Sequence, residues 1–167
     1  MSYNFKYYIL YAVLYGGFRA TMINLAAGPD AISYALDHCG ARYAFVHRSQ
    51  LDTIGAIAPQ RMSIVSPEML SLRLEIPSFD ATQHALLMYT SGTTANPKGC
   101  PLNHEVLVRN GINMNRCRYF LSEADVFWAP LPMFHMASIL PLMACIDAGA
   151  AMSSMTHFEA DTALAMM

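Results

Sequence analysis

Apolar residues recur along the first 65 positions with two alternating patterns. Helical spacing, with apolar residues at three- and four-residue intervals, covers three stretches, residues 7–15, 29–39 and 51–58. Short apolar runs typical of strands lie between them, at residues 21–25, 43–47 and 62–65. Pro29 suits the first turn of its helix, and Gly40 ends it. The pattern predicts one helix followed by βαβαβ, the order of an α/β fold with a mostly parallel sheet flanked by helices.

The second half resumes this alternation after residues 67–83, a connecting segment with two prolines and no clear period. A strand at residues 86–89 and a returning strand at 99–102 predict a hairpin with a polar loop at its tip. The following helix should begin after the N-cap Asn103 and bury three residues, Leu107, Met114 and Cys117. A strand at 126–132 then leads into a helix whose inner face carries Met136, Ile139, Leu140 and Met143. We therefore divide the chain into residues 1–66, 67–83 and 84–167.

Composition and charge exclude several classes of function. Hydrophobic residues make up 54% of the chain and charged residues 13%, so much of its surface must be buried. A net charge of −2 offers no basic field for nucleic acid. The cysteines are far apart and lack a Cys-x-x-Cys pair, and the histidines lack ligand spacing. We therefore expect no metal site, reduced thiols and a cytoplasmic location.

Two apolar stretches suggest alternatives. Lys6 before an apolar run is reminiscent of a signal peptide, but the run is rich in tyrosine and lacks a small-residue cleavage site. Residues 126–146 carry no fixed charge and are long enough to span a bilayer. Because Pro130, Pro132 and Pro141 would each disturb a spanning helix, a buried strand and helix explain them better. An integral membrane protein remains an alternative that carbonate extraction would test.

The loop of the predicted hairpin has the composition of an anion-binding loop. Hydroxyl residues surround a glycine at its start, in the order Thr90, Ser91, Gly92, Thr93 and Thr94. Pro97, Lys98 and Gly99 close it. Backbone N–H and hydroxyl groups bind phosphate oxygens, glycine permits close approach, and lysine supplies positive charge. An ordinary surface turn uses the same residue types, but it does not need this order, and a Walker loop needs Gly-Lys-Ser or Gly-Lys-Thr. The loop therefore predicts a triphosphate site of another kind.

This loop resembles the phosphate-loop signature of the adenylate-forming enzymes, the superfamily of acyl-CoA synthetases, firefly-type luciferases and peptide-synthetase adenylation domains. The family usually has glycine where this chain has Ala95, which would strain the loop by about 1 kcal/mol if φ is positive there. A second match is the run of residues 130–135, Pro-Leu-Pro-Met-Phe-His, followed by a helix and residues 147–150. The resemblance extends from about residue 14 to the end and is specific at these two motifs.

The resemblance implies roles for individual residues. Thr90, Ser91, Gly92, Thr93 and Thr94 would hold the β- and γ-phosphates of ATP, and Lys98 would offset charge on pyrophosphate. His135 matches a family histidine beside the pocket for the carboxylate substrate. On residue chemistry alone, a single histidine in an apolar stretch is more often a core residue.

The function implied is that of an acid–thiol ligase, which activates a carboxylic acid with ATP and transfers the acyl group to coenzyme A. The apolar run from Met133 to Met143 favours a fatty or aromatic acid. The family's Mg²⁺-binding glutamate, ribose-binding aspartate and mobile C-terminal domain match nothing in this chain. We therefore expect a partial N-terminal AMP-binding domain that does not turn over alone. A nucleotide-binding protein without catalysis is the alternative, and the oligomeric state stays open.

Overall fold

Helices and strands alternate along the chain, which confirms the predicted α/β class. The computed structural model describes residues 5–65, 78, 80–90, 96–154 and 159–165. The described part of the chain divides into two units: one lies within Phe5–His104, and the other begins at Glu105. Each unit contains its own parallel strand pair, so each has the β–α–β character that the hydrophobic pattern predicts.

The first unit contains a three-stranded sheet and a separate pair of strands, and the pair lies between the first and second strands of the sheet in chain order. Its elements are α1 (Phe5–Tyr15), β1 (Ala20–Thr21), α2 (Pro29–His38), β2 (Tyr43–Phe45), α3 (Leu51–Ile57), β3 (Ser63–Val65), β4 (His84–Thr90) and β5 (Lys98–Asn103). The central strand β4 pairs in parallel with β1 and antiparallel with β5. β2 and β3 form a parallel pair connected through α3. The predicted hairpin of β4 and β5 is therefore confirmed.

Helix α2 begins and ends where the sequence predicts. Gly28, with φ of 86°, precedes Pro29 at the first turn, and Gly40, with φ of 66°, follows the last turn. The apolar face of α2 lies in a core of seven residues, Ile32, Leu36, Cys39, Val46, Ile54, Met62 and Leu87. These side chains come from α2 and its C-cap, from α3 and β4, and from the segments after β2 and before β3, so one core joins the helices to the hairpin strand.

The strand predicted at residues 21–25 is mostly wrong. β1 ends at Thr21, and a short 3₁₀ turn occupies Leu25–Ala27. The side chain of Asn24 accepts a hydrogen bond from the backbone N–H of Ala26, at 2.9 Å. Asparagine at this position caps the turn and so competes with continuation of the strand.

The second unit begins within α4 and contains a βαβ arrangement followed by a short helix. Its elements are α4 (His104–Met114), a π-helical turn (Asn115–Tyr119), β6 (Val126–Ala129), α5 (Met136–Ala148), β7 (Ala151–Ser154) and α6 (Ala160–Ala165). β6 and β7 pair in parallel, and α5 connects them. The strand predicted at 126–132 ends at Ala129, because Pro130 and Pro132 have no N–H to continue a ladder.

The π-helical turn overturns part of the predicted inner face of α4. Leu107 is buried as predicted, whereas Met114 is half-buried and Cys117 is exposed. Asn115 is buried in their place, donates a hydrogen bond to Asp147 at 3.0 Å and accepts one from the N–H of Leu121 at 2.8 Å. A π turn rotates the following side chains out of the 3.6-residue period, which is why Cys117 leaves the core.

Helices α4 and α5 approach each other closely at Gly111. A Cβ atom at this position would lie 2.4 Å from Cβ of Met143 and 2.9 Å from its carbonyl carbon. α5 buries Ile139 and Met143 of its predicted face, while Met136 and Leu140 are half-buried. Within the described residues, no helix has the length and apolar character needed to cross a membrane.

Candidate functional site

The β4–β5 hairpin brings together the two ends of the predicted phosphate loop. β4 is buried from Ala85 to Met88, which fixes the strand in the sheet before the loop begins. Thr90, its last residue, pairs across the ladder with Lys98, the first residue of β5. The hydroxyl of Thr90 donates to the backbone carbonyl of Lys98 over 3.4 Å. The ladder thus sets the two ends of the loop opposite each other.

Thr90 and Lys98 are exposed and lie on one face of the hairpin. Residues paired directly across an antiparallel ladder place their side chains on the same side of the sheet. This arrangement leaves the ammonium group of Lys98 accessible to an anion at the two ends of the loop. The hydroxyl of Thr90 can donate to the same anion once it gives up its bond to the carbonyl oxygen of Lys98. The other predicted phosphate ligands, Ser91, Gly92, Thr93 and Thr94, lie outside the described residues, as does Ala95.

The opposite face of the hairpin packs on α2 through a cluster that the sequence analysis missed. The hydroxyl of Tyr89 lies 2.8 Å from Nδ1 of His38 and 3.3 Å from the carbonyl oxygen of Ala35. Burial first, and then the neighbouring Cys39 and Tyr34, raise the pKa of Tyr89 to about 12. The phenol therefore stays protonated at neutral pH. No local pattern indicates this pair, because His38 and Tyr89 are 51 positions apart in the sequence.

His135 lies in the other unit, at the N-cap position of α5. Its carbonyl oxygen accepts hydrogen bonds from the N–H groups of Ser138 and Ile139, at 3.0 and 3.4 Å. Its side chain makes no capping hydrogen bond and is exposed, with its ring 4.8 Å from that of Phe134. Ser138, fully buried, donates to the carbonyl oxygen of Leu131 at 2.6 Å and so ties the preceding loop to the helix. The backbone is therefore fixed while the imidazole is accessible.

At the start of α4, where position in the sequence alone favours a surface or capping histidine, the structure buries His104. It begins α4, its N–H donates to the carbonyl oxygen of Gln83, and its side chain is only 9% exposed. Burial lowers the pKa of its imidazole. The neutral form is therefore favoured in the folded protein.

An open cleft of about 410 Å³ lies at the other end of β4. Its lining includes Arg19 and His84, and His84 is the first residue of β4 whereas Thr90 is the last. The two residues are six positions apart along the strand, or about 20 Å. Ligands of open α/β sheets bind at the carboxyl ends of strands, which favours the hairpin over this cleft for nucleotide. In the described part of the chain, no three His, Cys, Asp or Glu side chains are grouped as metal ligands.

An α/β fold with a glycine- and hydroxyl-rich sequence at a strand end is typical of nucleotide-binding proteins. The chain belongs to the AMP-binding enzyme family, whose profile matches residues 6–167. This confirms the family predicted from the two motifs.

Curated relatives include several coenzyme A ligases. The chain is 33% identical to sulfoacetate–CoA ligase of Cupriavidus necator, over 74% of this chain and 27% of the relative. It is 31% identical to 3-methylmercaptopropionyl-CoA ligase of Ruegeria pomeroyi, over 86% of this chain and 31% of the relative. The chain thus spans less than a third of the length of these two relatives.

A solved structure with the same fold covers nearly the whole chain. ATP-bound MatB from Rhodopseudomonas palustris superimposes with a TM-score of 0.87 at 20% identity, over 99% of this chain and 35% of that one. o-Succinylbenzoate CoA synthetase of Bacillus subtilis, bound with a product analogue, superimposes with a TM-score of 0.84 at 19% identity, over 98% of this chain and 34% of that one. These similarities confirm the fold.

Proposed function

We propose that this chain supplies the phosphate-binding part of an acid–thiol ligase. In the proposed reaction, a carboxylate attacks the α-phosphate of ATP, which gives an acyl-adenylate and releases pyrophosphate. The thiol of coenzyme A then attacks the acyl carbon and displaces AMP. The observation that carries the proposal is the exposed Thr90–Lys98 pair at the mouth of the loop, in a chain of the AMP-binding enzyme family.

The proposed contribution of this chain is electrostatic. Negative charge develops on the leaving pyrophosphate, and a fixed ammonium group with hydroxyl and N–H donors stabilises it without reorganisation. Lys98 supplies the charge. Thr90 begins the row of donors, and Ser91, Gly92, Thr93 and Thr94 complete it. The side chain of Lys98 is accessible from solvent, as this role requires.

We assign His135 to the carboxylate substrate, which it would orient or enclose. Its fixed backbone and exposed ring suit a group that must meet a substrate. In the apolar run from Met133 to Met143, the two end residues are buried within their own unit. The half-buried Met136 and Leu140 therefore have side-chain surface that an acyl chain can contact. A fatty or aromatic acid is therefore the proposed substrate.

The relatives' names leave the choice of acid open to experiment. They include a small anionic acid in sulfoacetate–CoA ligase, an aromatic acid in 2-succinylbenzoate–CoA ligase of Geobacillus kaustophilus, and long-chain fatty acids in FadD13 of Mycobacterium tuberculosis. Our proposal for this chain selects the last two kinds over the first.

The proposal assigns the Mg²⁺ ligand, the ribose ligand and the C-terminal domain to residues outside this chain. The described residues contain no assembled group of metal ligands, so no step is assigned to a metal held here. We expect the 167 residues alone to bind phosphate weakly and to form no acyl-adenylate, because most of the triphosphate charge would stay uncompensated.

All four cysteines are unpaired, which supports a cytoplasmic enzyme.

Isotope exchange between pyrophosphate and ATP tests the proposal in the full-length protein. The acids are octanoate, benzoate, 2-succinylbenzoate and sulfoacetate, and a reaction without acid is the control. We expect acid-dependent exchange with a fatty or aromatic acid. Exchange with sulfoacetate alone would overturn the substrate class. ATP binding without exchange for any acid would favour the nucleotide-binding, non-catalytic alternative.

A further inference from the structure

The ring of His38 lies between two tyrosines at the end of α2. Tyr34, one turn earlier, stacks on it with ring centroids 5.4 Å apart and planes at 18°. Tyr89 of β4 meets it edge-on, with centroids 5.8 Å apart and planes at 74°. The contact with Tyr89 also includes the 2.8 Å hydrogen bond between its hydroxyl and Nδ1 of His38. This cluster connects the helix to the hairpin strand.

The hydroxyl of Tyr89 completes a chain of hydrogen bonds back to α2. It lies within 3.3 Å of the carbonyl oxygen of Ala35 as well as near His38. A phenol has one hydrogen to donate, so when it donates to Ala35 the Nδ1 of His38 must donate to it. Both bonds lead to the last turn of α2, and loss of the hydroxyl would remove both.

The last turn of α2 is itself fixed by two arginines. Arg19 donates to the carbonyl oxygen of Cys39 at 2.7 Å. Arg61 donates to the carbonyl oxygen of Asp37 and pairs with its carboxylate at 2.7 Å. Cations at a helix C-terminus satisfy its unpaired carbonyl groups and oppose its dipole. The backbone on both sides of His38 is therefore held by hydrogen bonds from arginine side chains.

The strand ladder places the contact between His38 and Tyr89 one residue pair away from the ends of the loop. Tyr89 pairs with Gly99, and the next pair toward the loop is Thr90 with Lys98. A Cβ on Gly99 would lie 3.2 Å from Cδ1 of Leu87, 3.3 Å from Cε1 of His38 and 3.5 Å from Cε1 of Tyr89. The absence of a side chain at Gly99 thus lets the rings of His38 and Tyr89 close over β5. Gly99 serves this packing.

We propose that His38 and Tyr89 are positioning residues that hold the β4–β5 hairpin against α2 next to the two ends of the phosphate loop, so that Thr90 and Lys98 meet the β- and γ-phosphates of ATP. The inference rests on the proposed function of the loop. Because side chains alternate along a strand, Tyr89 points to α2 while Thr90 points to the opposite face. The two residues therefore act through the backbone of the hairpin and do not touch the nucleotide.

The test compares ATP with AMP, which shares the nucleoside and one phosphate but lacks the β- and γ-phosphates. Titration calorimetry of the full-length protein with each nucleotide and Mg²⁺ gives two dissociation constants for wild type, Tyr89→Phe and Tyr34→Phe. Tyr34→Phe is the matched control, because it removes a hydroxyl from the other ring on His38 and that hydroxyl makes no hydrogen bond to any described residue. Neither substitution removes a ring.

We expect Tyr89→Phe to weaken ATP binding about threefold to tenfold, with AMP binding changed less than about twofold. Tyr34→Phe should change neither constant by more than about twofold. A general loss of folding would lower the bound stoichiometry for both nucleotides and leave the constants unchanged. Equal weakening of ATP and AMP, no weakening, or the same effect in Tyr34→Phe would each overturn the positioning role.

A second variant tests the same hydrogen bond by removing its other partner, Nδ1 of His38. His38→Phe keeps a ring between the tyrosines and removes Nδ1, so it should weaken ATP selectively even if Tyr89→Phe does not fold. The double variant should bind ATP no more weakly than the weaker single variant, because both remove one shared bond. Additive effects would contradict the proposal. If wild type itself binds no ATP, the proposed function fails first and this inference fails with it.

Discussion

The β4–β5 hairpin and the α4–α5 pair support their exposed candidate residues in different ways. Beneath Thr90 and Lys98, the hairpin meets α2 through the polar contact of Tyr89 with His38. In the unit of His135, α4 meets α5 through direct backbone contact at Gly111, with no room for a side chain. Polar contacts can be weakened one at a time, whereas a close-packed backbone contact either forms or fails. Substitutions should therefore tune the hairpin but unfold the helix pair.

Gly111→Ala should have the largest effect on stability. The added Cβ would lie 2.4 Å from Cβ of Met143 and 2.9 Å from its carbonyl carbon, so the helices must separate. We expect a loss of about 3 kcal/mol in the free energy of unfolding, measured by urea denaturation. Gly55→Ala is the control, because it also adds a Cβ inside a helix but meets only Ile64, at 3.9 Å.

The control should be neutral or more stable by up to about 1 kcal/mol, since alanine favours a helix over glycine. Equal effects at the two glycines would show that the contact at Met143 is not close-packed. In that case the contrast between hairpin and helix pair would not hold.

Lys98→Ala should lower the adenylation rate while leaving the KM for the acid nearly unchanged. Loss of one charge-assisted contact corresponds to about 1.5 to 3 kcal/mol, or roughly tenfold to a hundredfold in rate. Arg109→Ala is the control, because it removes a surface cation that is 76% exposed and paired with Glu105. Such pairs contribute little. A rate as high as wild type in Lys98→Ala would remove the lysine from the site.

Much of this architecture follows from local sequence, and the contacts between distant residues do not. The hairpin, the bounds of α2 and the apolar face of α5 follow from periodicity, proline and glycine. By contrast, the π turn depends on Asn115 meeting Asp147, 32 positions away. The His38–Tyr89 contact spans 51 positions. Single-sequence patterns describe neighbours along the chain, so such pairs appear only once the elements are packed.

Stability should fall as the pH drops below the ordinary histidine range. Burial lowers the pKa of His104 in the folded state. As the pH falls, this histidine therefore takes up a proton at a higher pH in the unfolded chain than in the folded protein. The contribution of His104 to the free energy of unfolding is therefore fully present above about pH 6.5, the pKa of histidine in the unfolded chain, and decreases below that pH. The midpoint of urea unfolding, measured from pH 7.5 to 5, should fall less steeply in His104→Gln. An identical slope would show that His104 is not desolvated.

Thiol labelling should show the smallest effect and tests the π turn. Cys100 and Cys117 are exposed, whereas Cys39 and Cys145 are buried, and burial raises the pKa of the Cys145 thiol. We expect two fast-reacting thiols in this chain, one of which is lost in Cys117→Ser with a stability change below about 0.5 kcal/mol. If the thiol of Cys117 instead reacts slowly, α4 continues as a regular helix and buries it.

Hydrogen–deuterium exchange with ATP and with AMP tests the location of the triphosphate site most directly. The full-length protein is compared in both nucleotides with Mg²⁺, following peptides that cover residues 86–102 and, as a reference for the distant cleft, residues 17–21 and 39–41. Our account predicts that ATP slows exchange in residues 86–102 well beyond the effect of AMP, with little change at the cleft. Slowing by ATP that is confined to the cleft peptides, or that is the same for AMP, would contradict the assignment of the triphosphate to the hairpin.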